Sequence, residues 1–221
     1  MPEILDYHNL NRIQAIRSLS TKEIFVKNER VKKSFIGYKI HLDSYGYPYS
    51  FFPLTDGPIT ASLVGDMADL LVLKGNFERA KNLLTEGDRG GCLIAGKIGD
   101  ITGLPIIPSN WHREMVEVPE VVCVEAKVGF SGDGHILIHG IESGKEYDFV
   151  DDLLSSAGTA IAHFNAVRKA GGIIKRAYFV GEKVNQNGRE NILKEFPDIQ
   201  VISLVRFIAE IKNGVTVDAD L

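Results

Sequence analysis

The spacing of apolar positions changes period several times along this chain. Up to about residue 34 it is polar and mostly helical, with charges clustered in Thr21-Lys22-Glu23 and Lys27-Asn28-Glu29-Arg30. Residues 35–42 alternate, and residues 47–53 are rich in aromatics; both patterns predict strands. Asp56-Gly57-Pro58 is a turn, and Pro58 suits the first turn of a helix running to about residue 73. Short apolar runs then alternate with helical segments. The runs predict strands over 82–85, 104–108, 121–128, 135–139, 147–150, 173–180, 201–205 and 209–215. Helices are predicted over 91–102, about 157–171 and 189–195. Strand and helix in alternation predict an α/β fold, a parallel sheet flanked by helices. Such sheets bind ligands at the carboxyl ends of their strands.

One strand end carries the most chemistry. The run from Tyr147 to Val150 is followed by Asp151-Asp152-Leu153-Leu154, then by Ser155-Ser156-Ala157-Gly158-Thr159 at a helix start. Carboxylates accept hydrogen bonds from sugar hydroxyls. Backbone N–H groups, hydroxyls and the positive end of a helix dipole surround a phosphate. Each half alone also fits a solvated strand end or a serine N-cap. Together they describe a site for a ligand with a ribose and a phosphate.

A second strand-to-helix junction reads Thr85-Glu86-Gly87-Asp88-Arg89-Gly90-Gly91. It is either a flexible glycine-rich turn or a tight loop whose N–H groups and Arg89 meet a second anion. The same place holds Gly91-Cys92-Leu93-Ile94-Ala95-Gly96-Lys97, which satisfies the spacing of a nucleotide-binding P-loop. Ile98 stands where that motif needs a magnesium-binding hydroxyl, and the apolar residues fit the buried face of a helix better.

Composition narrows the class. The 221 residues are 44% hydrophobic and 24% charged, enough for one domain with a sizeable core. A net charge of −4 gives no footprint for nucleic acid or an acidic membrane surface. No segment reaches the roughly 18 apolar residues of a membrane span. No basic and apolar leader opens the chain, so a cytoplasmic protein is expected. Cys92 and Cys123 are expected as free thiols in a reducing compartment. His8, His41, His135, His139 and His163 have no metal-ligand spacing and are expected to be structural or solvent-facing; no protein-held metal is expected.

The acidic pair and the loop after it resemble the phosphoribosyl pyrophosphate (PRPP) signature of the type I phosphoribosyltransferases. Ala157 stands where that family usually has glycine. Asp88-Arg89-Gly90-Gly91 is similar to the pyrophosphate loop of the adenine and archaeal hypoxanthine/guanine members. Phe52-Pro53-Leu54-Thr55-Asp56-Gly57, Val180-Gly181-Glu182, Asn187-Gly188-Arg189-Glu190 and Ser203-Leu204-Val205-Arg206 extend the likeness over residues 47–215. One departure is Ser109-Asn110-Trp111-His112-Arg113, where purine members usually carry an Arg-Lys pair.

The resemblance implies a single domain over residues 1–221, with 1–46 as an N-terminal extension and a small hood built from chain-terminal segments. It implies transfer of a phosphoribosyl group from PRPP to a nucleobase, a purine first, in a homodimer. Asp151 and Asp152 are the expected catalytic pair under the ribose. Residues Ser155, Ser156, Ala157, Gly158 and Thr159 are expected on the 5′-phosphate, and Asp88, Arg89, Gly90 and Gly91 on pyrophosphate. Phe52, Pro53, Leu54 and Glu182 are the base-pocket candidates, and Trp111 and Arg113 belong to a candidate lid over 109–134. Mg²⁺ is expected mainly through the substrate. Two other readings stay open on the sequence: a non-catalytic PRPP-binding regulator, and a transferase for a pyrimidine or unusual base.

Overall fold

The computed structural model describes residues 7–36, 40–42, 48–50, 54, 58–77, 80, 82–87, 90–115, 117–119, 121–128, 132–210 and 214–217. Two helices open it, α1 (Tyr7–Arg17) and α2 (Thr21–Lys33). A capping box starts α2: the Ser20 hydroxyl accepts from the Glu23 N–H at 3.3 Å, and the Glu23 carboxylate accepts from the Ser20 N–H at 2.8 Å. Strands β1 (Ile40–Leu42) and β2 (Pro48–Ser50) form a small antiparallel pair of their own. Helix α3 (Ala61–Lys74) follows, capped by Thr60. Lys27 ties α2 to α3 by donating to Asp66 at 2.7 Å and to Asp69 at 2.9 Å.

The rest of the chain builds the main sheet. Its elements are β3 (Asn82–Glu86), α4 (Gly90–Thr102), β4 (Ile106–His112), β5 (Val121–Val128), β6 (Gly132–His139), β7 (Glu146–Leu154), α5 (Gly158–Lys169), β8 (Ile173–Lys183), α6 (Gly188–Glu195), β9 (Gln200–Glu210) and β10 (Gly214–Val217). The eight strands lie in the order β10-β9-β8-β7-β3-β4-β6-β5. From β9 to β4 neighbours are parallel, while β10 at one edge and the β5–β6 hairpin at the other are antiparallel.

Alternation along the strands sends side chains to two cores. Val150, Tyr178, Val180 and Leu204 pack with Met67 and Leu71 of α3 and Ile94 and Ile98 of α4. Phe149, Phe179 and Ile136 face the other way, onto Phe164 and Val167 of α5 and Ile192 of α6. Each such fully buried side chain contributes about 1.5–3 kcal/mol. The strand-helix alternation read from the sequence is the architecture observed, and both anion-loop candidates sit at carboxyl ends of parallel strands.

Several boundaries differ from those the pattern predicts. The strand predicted over 35–42 does not begin at its first residues: α2 ends at Lys33, Phe35 is buried against Phe207 with ring centroids 5.4 Å apart, and the strand described there is Ile40–Leu42. Gly181 makes room for Phe35, since a Cβ there would lie 2.8 Å from its ring. The strand expected to end at Val150 continues to Leu154, because Asp151 stays in register with Phe179 and Leu153 with Gly181. β4 runs four residues beyond Pro108, to His112, because β6 pairs with that polar end. The two C-terminal strands divide elsewhere, with β9 continuous to Glu210 and β10 starting at Gly214.

The P-loop-like spacing lies inside α4. Ile94 and Ala95 face the core and Lys97 donates to Asp100 at 2.9 Å. Cys92 is half-buried, Cys123 is buried, and both are free. Among the described residues no helix is long and apolar enough to cross a membrane.

Candidate active site

Asp151 and Asp152 lie three and two residues before the end of β7 and are buried, at 5% and 8% exposure. The Asp152 N–H donates to Asp151 Oδ1 at 2.8 Å. Burial pushes the Asp151 carboxyl well above the usual carboxylate range, and the neighbouring carboxylates of Asp152 and Glu86 push it further. Three buried acids therefore converge where β7 and β3 emerge side by side.

Gly90 and Gly91 explain how that cluster fits under a helix. A Cβ on Gly91 would lie 2.7 Å from Asp151 Oδ1 and 2.9 Å from Asp151 Cα. One on Gly90 would lie 2.6 Å from Asp152 Oδ2 and would strike the Leu54 carbonyl oxygen. The absent side chains let the first turn of α4 seat directly on both carboxylates. That turn is the positive end of the helix dipole, which favours anionic groups. Leu54 itself is buried with φ 79°. The hydroxyl of Thr85 is buried in the same corner, 3.0 Å from the Gly91 Cβ position, with no hydrogen-bond partner among the described residues.

The second junction, β7 to α5, is built differently. Neither serine caps α5; Ala157 holds the N-cap position at φ 71° and gives no side-chain hydrogen bond. Gly158 and Thr159 form the first turn, so its N–H groups face the loop without a side-chain cap. Helix α6 supports the loop from below. Asn191 Nδ2 donates to the Ser156 carbonyl at 3.1 Å, and the Cα of Gly188 packs on the Ser155 carbonyl where any Cβ would collide.

The remaining candidates lie as follows. Glu182 ends β8 and accepts from Arg189 Nε at 2.9 Å and Nη2 at 2.5 Å, with Arg206 Nε 3.6 Å away. Burial pushes its carboxyl up, but the hydrogen bonds from Arg189 and Ser203 outweigh that and leave it below the usual range. Trp111 pairs with Ile136 across β4–β6 and lies over Gly134, whose Cβ would come within 2.6 Å of the indole. The lid stretch is thus largely a hairpin added to the sheet edge. Arg113 follows β4, exposed, and with Trp111, His112 and Glu114 lines a cleft of about 360 Å³. Phe52, Pro53, Thr55, Asp56, Gly57, Asp88 and Arg89 lie outside the described residues.

The sequence reading did not single out Glu86 as an acid facing Asp151, Thr85 as a buried hydroxyl, or Asn191 as a loop support. Glu86 and Thr85 stood inside the quoted glycine-rich run, and the strand parity of β3 was the signal available. Asn191 carried none, because its contact spans 35 residues. Lys183, next to Glu182, has its ammonium pulled down by burial, with the Asp152 charge acting against the shift.

The chain is 30% identical over 173 residues to the hypoxanthine/guanine phosphoribosyltransferase of Ferroglobus placidus, covering 77% of this chain and 87% of that protein. The chain belongs to the type I phosphoribosyltransferase family. No family model matches it. Its fold is similar to that of the adenine phosphoribosyltransferase from Rhodothermus marinus, with TM-score 0.65 at 18% identity over 82% of this chain and 99% of that one. The adenine enzyme of Trypanosoma brucei, solved with AMP, pyrophosphate and ribose-5-phosphate, gives TM-score 0.65 at 14% identity over 81% and 79%. As a phosphoribosyltransferase the chain is an enzyme. Ala157, which the resemblance of the loop sets at a glycine position, has a φ of 71°, in the left-handed region that favours glycine.

Among the described residues no group of three or more His, Cys, Asp or Glu side chains is arranged to hold a metal ion. The carboxylate oxygens of Asp151 and Asp152, with the unpartnered Thr85 hydroxyl beside them, are nonetheless hard oxygen donors of the kind Mg²⁺ takes alongside substrate oxygens.

Proposed function

We propose that this enzyme transfers the phosphoribosyl group of PRPP to a ring nitrogen of a purine, releasing pyrophosphate. The observation that carries the reading is the buried Asp151-Asp152 pair set beside the uncapped first turn of α5, in a chain of this family. Asp151 and Asp152 take the ribose hydroxyls and place negative charge under the anomeric carbon, which becomes cation-like as its bond to pyrophosphate breaks. Ser155, Ser156, Ala157, Gly158 and Thr159 take the 5′-phosphate, whose binding energy, gained remote from the bond that breaks, orients the sugar for reaction. Asp88, Arg89, Gly90 and Gly91 take the leaving pyrophosphate, where donors and positive charge count most. Mg²⁺ would be held mainly by the substrate, with Asp151 or Asp152 as further oxygen donors, and would supply Lewis-acid charge stabilisation.

Base contacts are assigned to the stretch Phe52-Pro53-Leu54 and to the Glu182 end of β8. Trp111 and Arg113 belong to the wall that keeps water from PRPP. The first 46 residues form an N-terminal extension of a single domain, and the working form is a cytoplasmic homodimer. The purine preference is supported by relatives such as the Ferroglobus placidus enzyme, whose name gives hypoxanthine and guanine.

Pyrophosphate release from PRPP and Mg²⁺ with adenine, hypoxanthine, guanine, orotate and uracil tests the reading. One purine should be strongly preferred, because a pocket that hydrogen-bonds an exocyclic group rejects bases lacking it. Turnover of orotate or uracil alone would move the acceptor to pyrimidines. Tight PRPP binding with no turnover of any base would favour the regulator reading.

A further inference from the structure

His163 is one of the most deeply buried polar side chains described, at 0% exposure on α5, with its ring centroid 5.0 Å from that of Phe149. Burying an imidazole without partners is costly, so the bonds it makes matter. Both nitrogens are engaged. Nδ1 lies 2.7 Å from the Thr159 carbonyl oxygen, to which its N–H donates. Nε2 meets the hydroxyl of Ser109 on β4. Burial pulls the imidazole down to about 4, so it is neutral, with the proton on Nδ1 and Nε2 accepting from Ser109.

The two partners belong to different anion loops. Thr159 sits in the first turn of α5, at the end of the 155–159 run. Ser109 lies beside the other junction: its carbonyl accepts from the Gly87 N–H at 2.8 Å, and its hydroxyl also approaches the Thr85 carbonyl at 3.1 Å. The chain of contacts runs Gly87, Ser109, His163, Thr159. It crosses from the β3–α4 junction to the β7–α5 junction through the buried side chains of Ser109 and His163.

We propose that His163 is a positioning residue that fixes the spacing between the two anion-binding loops, and with it the fit of a ligand that must occupy both at once. The proposal rests on the assignment of 5′-phosphate to residues 155–159 and pyrophosphate to residues 88–91. A ligand bearing only one anionic group meets only one loop, and that loop can adjust alone. PRPP bears both, so it depends on a spacing set in advance.

Calorimetry on the full chain with three probes separates these cases: PRPP with Mg²⁺, ribose 5-phosphate, and inorganic pyrophosphate. His163→Phe keeps a ring against Phe149 and removes both nitrogens. PRPP affinity should fall about tenfold or more, while ribose 5-phosphate and pyrophosphate each change less than about threefold. Ser109→Ala cuts the same strut from the other end and should give the same pattern at smaller size. It also decides the matter if His163→Phe fails to fold. Unchanged PRPP affinity in both variants overturns the proposal. So does a loss for ribose 5-phosphate as large as that for PRPP, because the histidine would then only shape one loop. Gly158→Val checks the underlying assignment: intact ribose 5-phosphate affinity there would withdraw the loop assignment itself, and the strut with it.

Discussion

Strand β7 buries an aspartate at each end of its central stretch, and the two live in opposite surroundings. Asp148, fully buried, accepts from Arg176 Nε on β8 at 2.7 Å. Asp151, three residues on, faces the carboxylates of Asp152 and Glu86 and the first turn of α4. Burial raises both carboxyls, Asp148 to about 6 even with the guanidinium pulling it down. The first acid is matched by a cation and closes the lower end of the sheet. The second is set among other acids at the carboxyl end of the strand, the end at which parallel α/β sheets bind ligands. A site of that kind lowers the stability of the empty protein and returns the difference when ligand arrives. Identical residues on one strand thus divide into an acid matched by a cation and an acid set among acids, by neighbours alone.

Breaking the structural end should give the largest effect. Arg176→Leu leaves Asp148 buried without its cation, and removing one partner of such a pair costs about 3–5 kcal/mol. Urea denaturation at pH 7 measures it. The loss should shrink near pH 5, where Asp148 takes up a proton and needs the cation less. A loss that is the same at both pH values would show that Asp148 is not the group left unpaired.

The acidic end should be more sensitive to added volume than to lost charge. Gly91→Ala forces a methyl group to within 2.7 Å of Asp151 Oδ1 and 2.9 Å of its Cα. Overpacking of this kind costs about 1–3 kcal/mol, and PRPP turnover should fall with it. Gly96→Ala, in the same helix with nothing within 4 Å of its Cβ position, should instead stabilise by about 0.5–1 kcal/mol. Thermal melts of the two variants are enough to tell them apart, and equal shifts would mean that α4 does not bear on the acidic pair.

The strand, acid pair and helix start at the acidic end were legible in sequence because their signals are local. An apolar run, two acids and a small-residue loop occupy consecutive positions of one strand and one helix start. Strand lengths were not legible, because partners set them. Nothing in Ser109-Asn110-Trp111-His112 says strand until β6 pairs with it. The serine N-cap that the loop alone would also have fitted is absent for a local reason that only backbone angles reveal, the left-handed turn at Ala157. Asp148 and Asp151 could not be told apart by composition, since the cation that distinguishes them lies 28 residues away on β8. His163 read only as structural or solvent-facing, and only the packing of β4 against α5 reveals its contact with Ser109.

A smaller effect sharpens the contrast between the two acids. Asp151→Asn removes one buried carboxylate from a cluster of three and should stabilise the unliganded enzyme by about 1 kcal/mol at pH 7, while PRPP affinity falls. The pH dependence follows from the sign of the shift. The folded-state carboxyl lies above its unfolded value, so between the two the folded protein holds a proton that the unfolded chain has lost. Stability from this group is full at low pH and is lost as pH rises. The advantage of the asparagine should therefore be near zero at pH 4 and grow toward neutrality. A constant advantage across that range would show that Asp151 titrates normally. Asp148→Asn should destabilise at pH 7, because it strands Arg176.

The smallest effect concerns the loop that follows. Ala157 occupies φ 71°, where an L side chain costs roughly 1–2 kcal/mol relative to the right-handed region. Glycine would remove that cost, and the family's usual residue here is glycine. Against this, glycine loosens the unfolded chain, which costs about 0.4–1 kcal/mol. Ala157 is also buried, so its methyl group contributes some packing that glycine would lose. The balance for Ala157→Gly should be a gain of about 0.5 kcal/mol or less, a shift of a degree or two in melting temperature. Ribose 5-phosphate affinity should stay the same, because the backbone already holds the turn that glycine favours and the N–H groups of the first turn of α5 keep their directions. A clear gain in that affinity would mean that the alanine distorts the loop, and that the 5′-phosphate site is less preorganised than its support from Asn191 and Gly188 indicates.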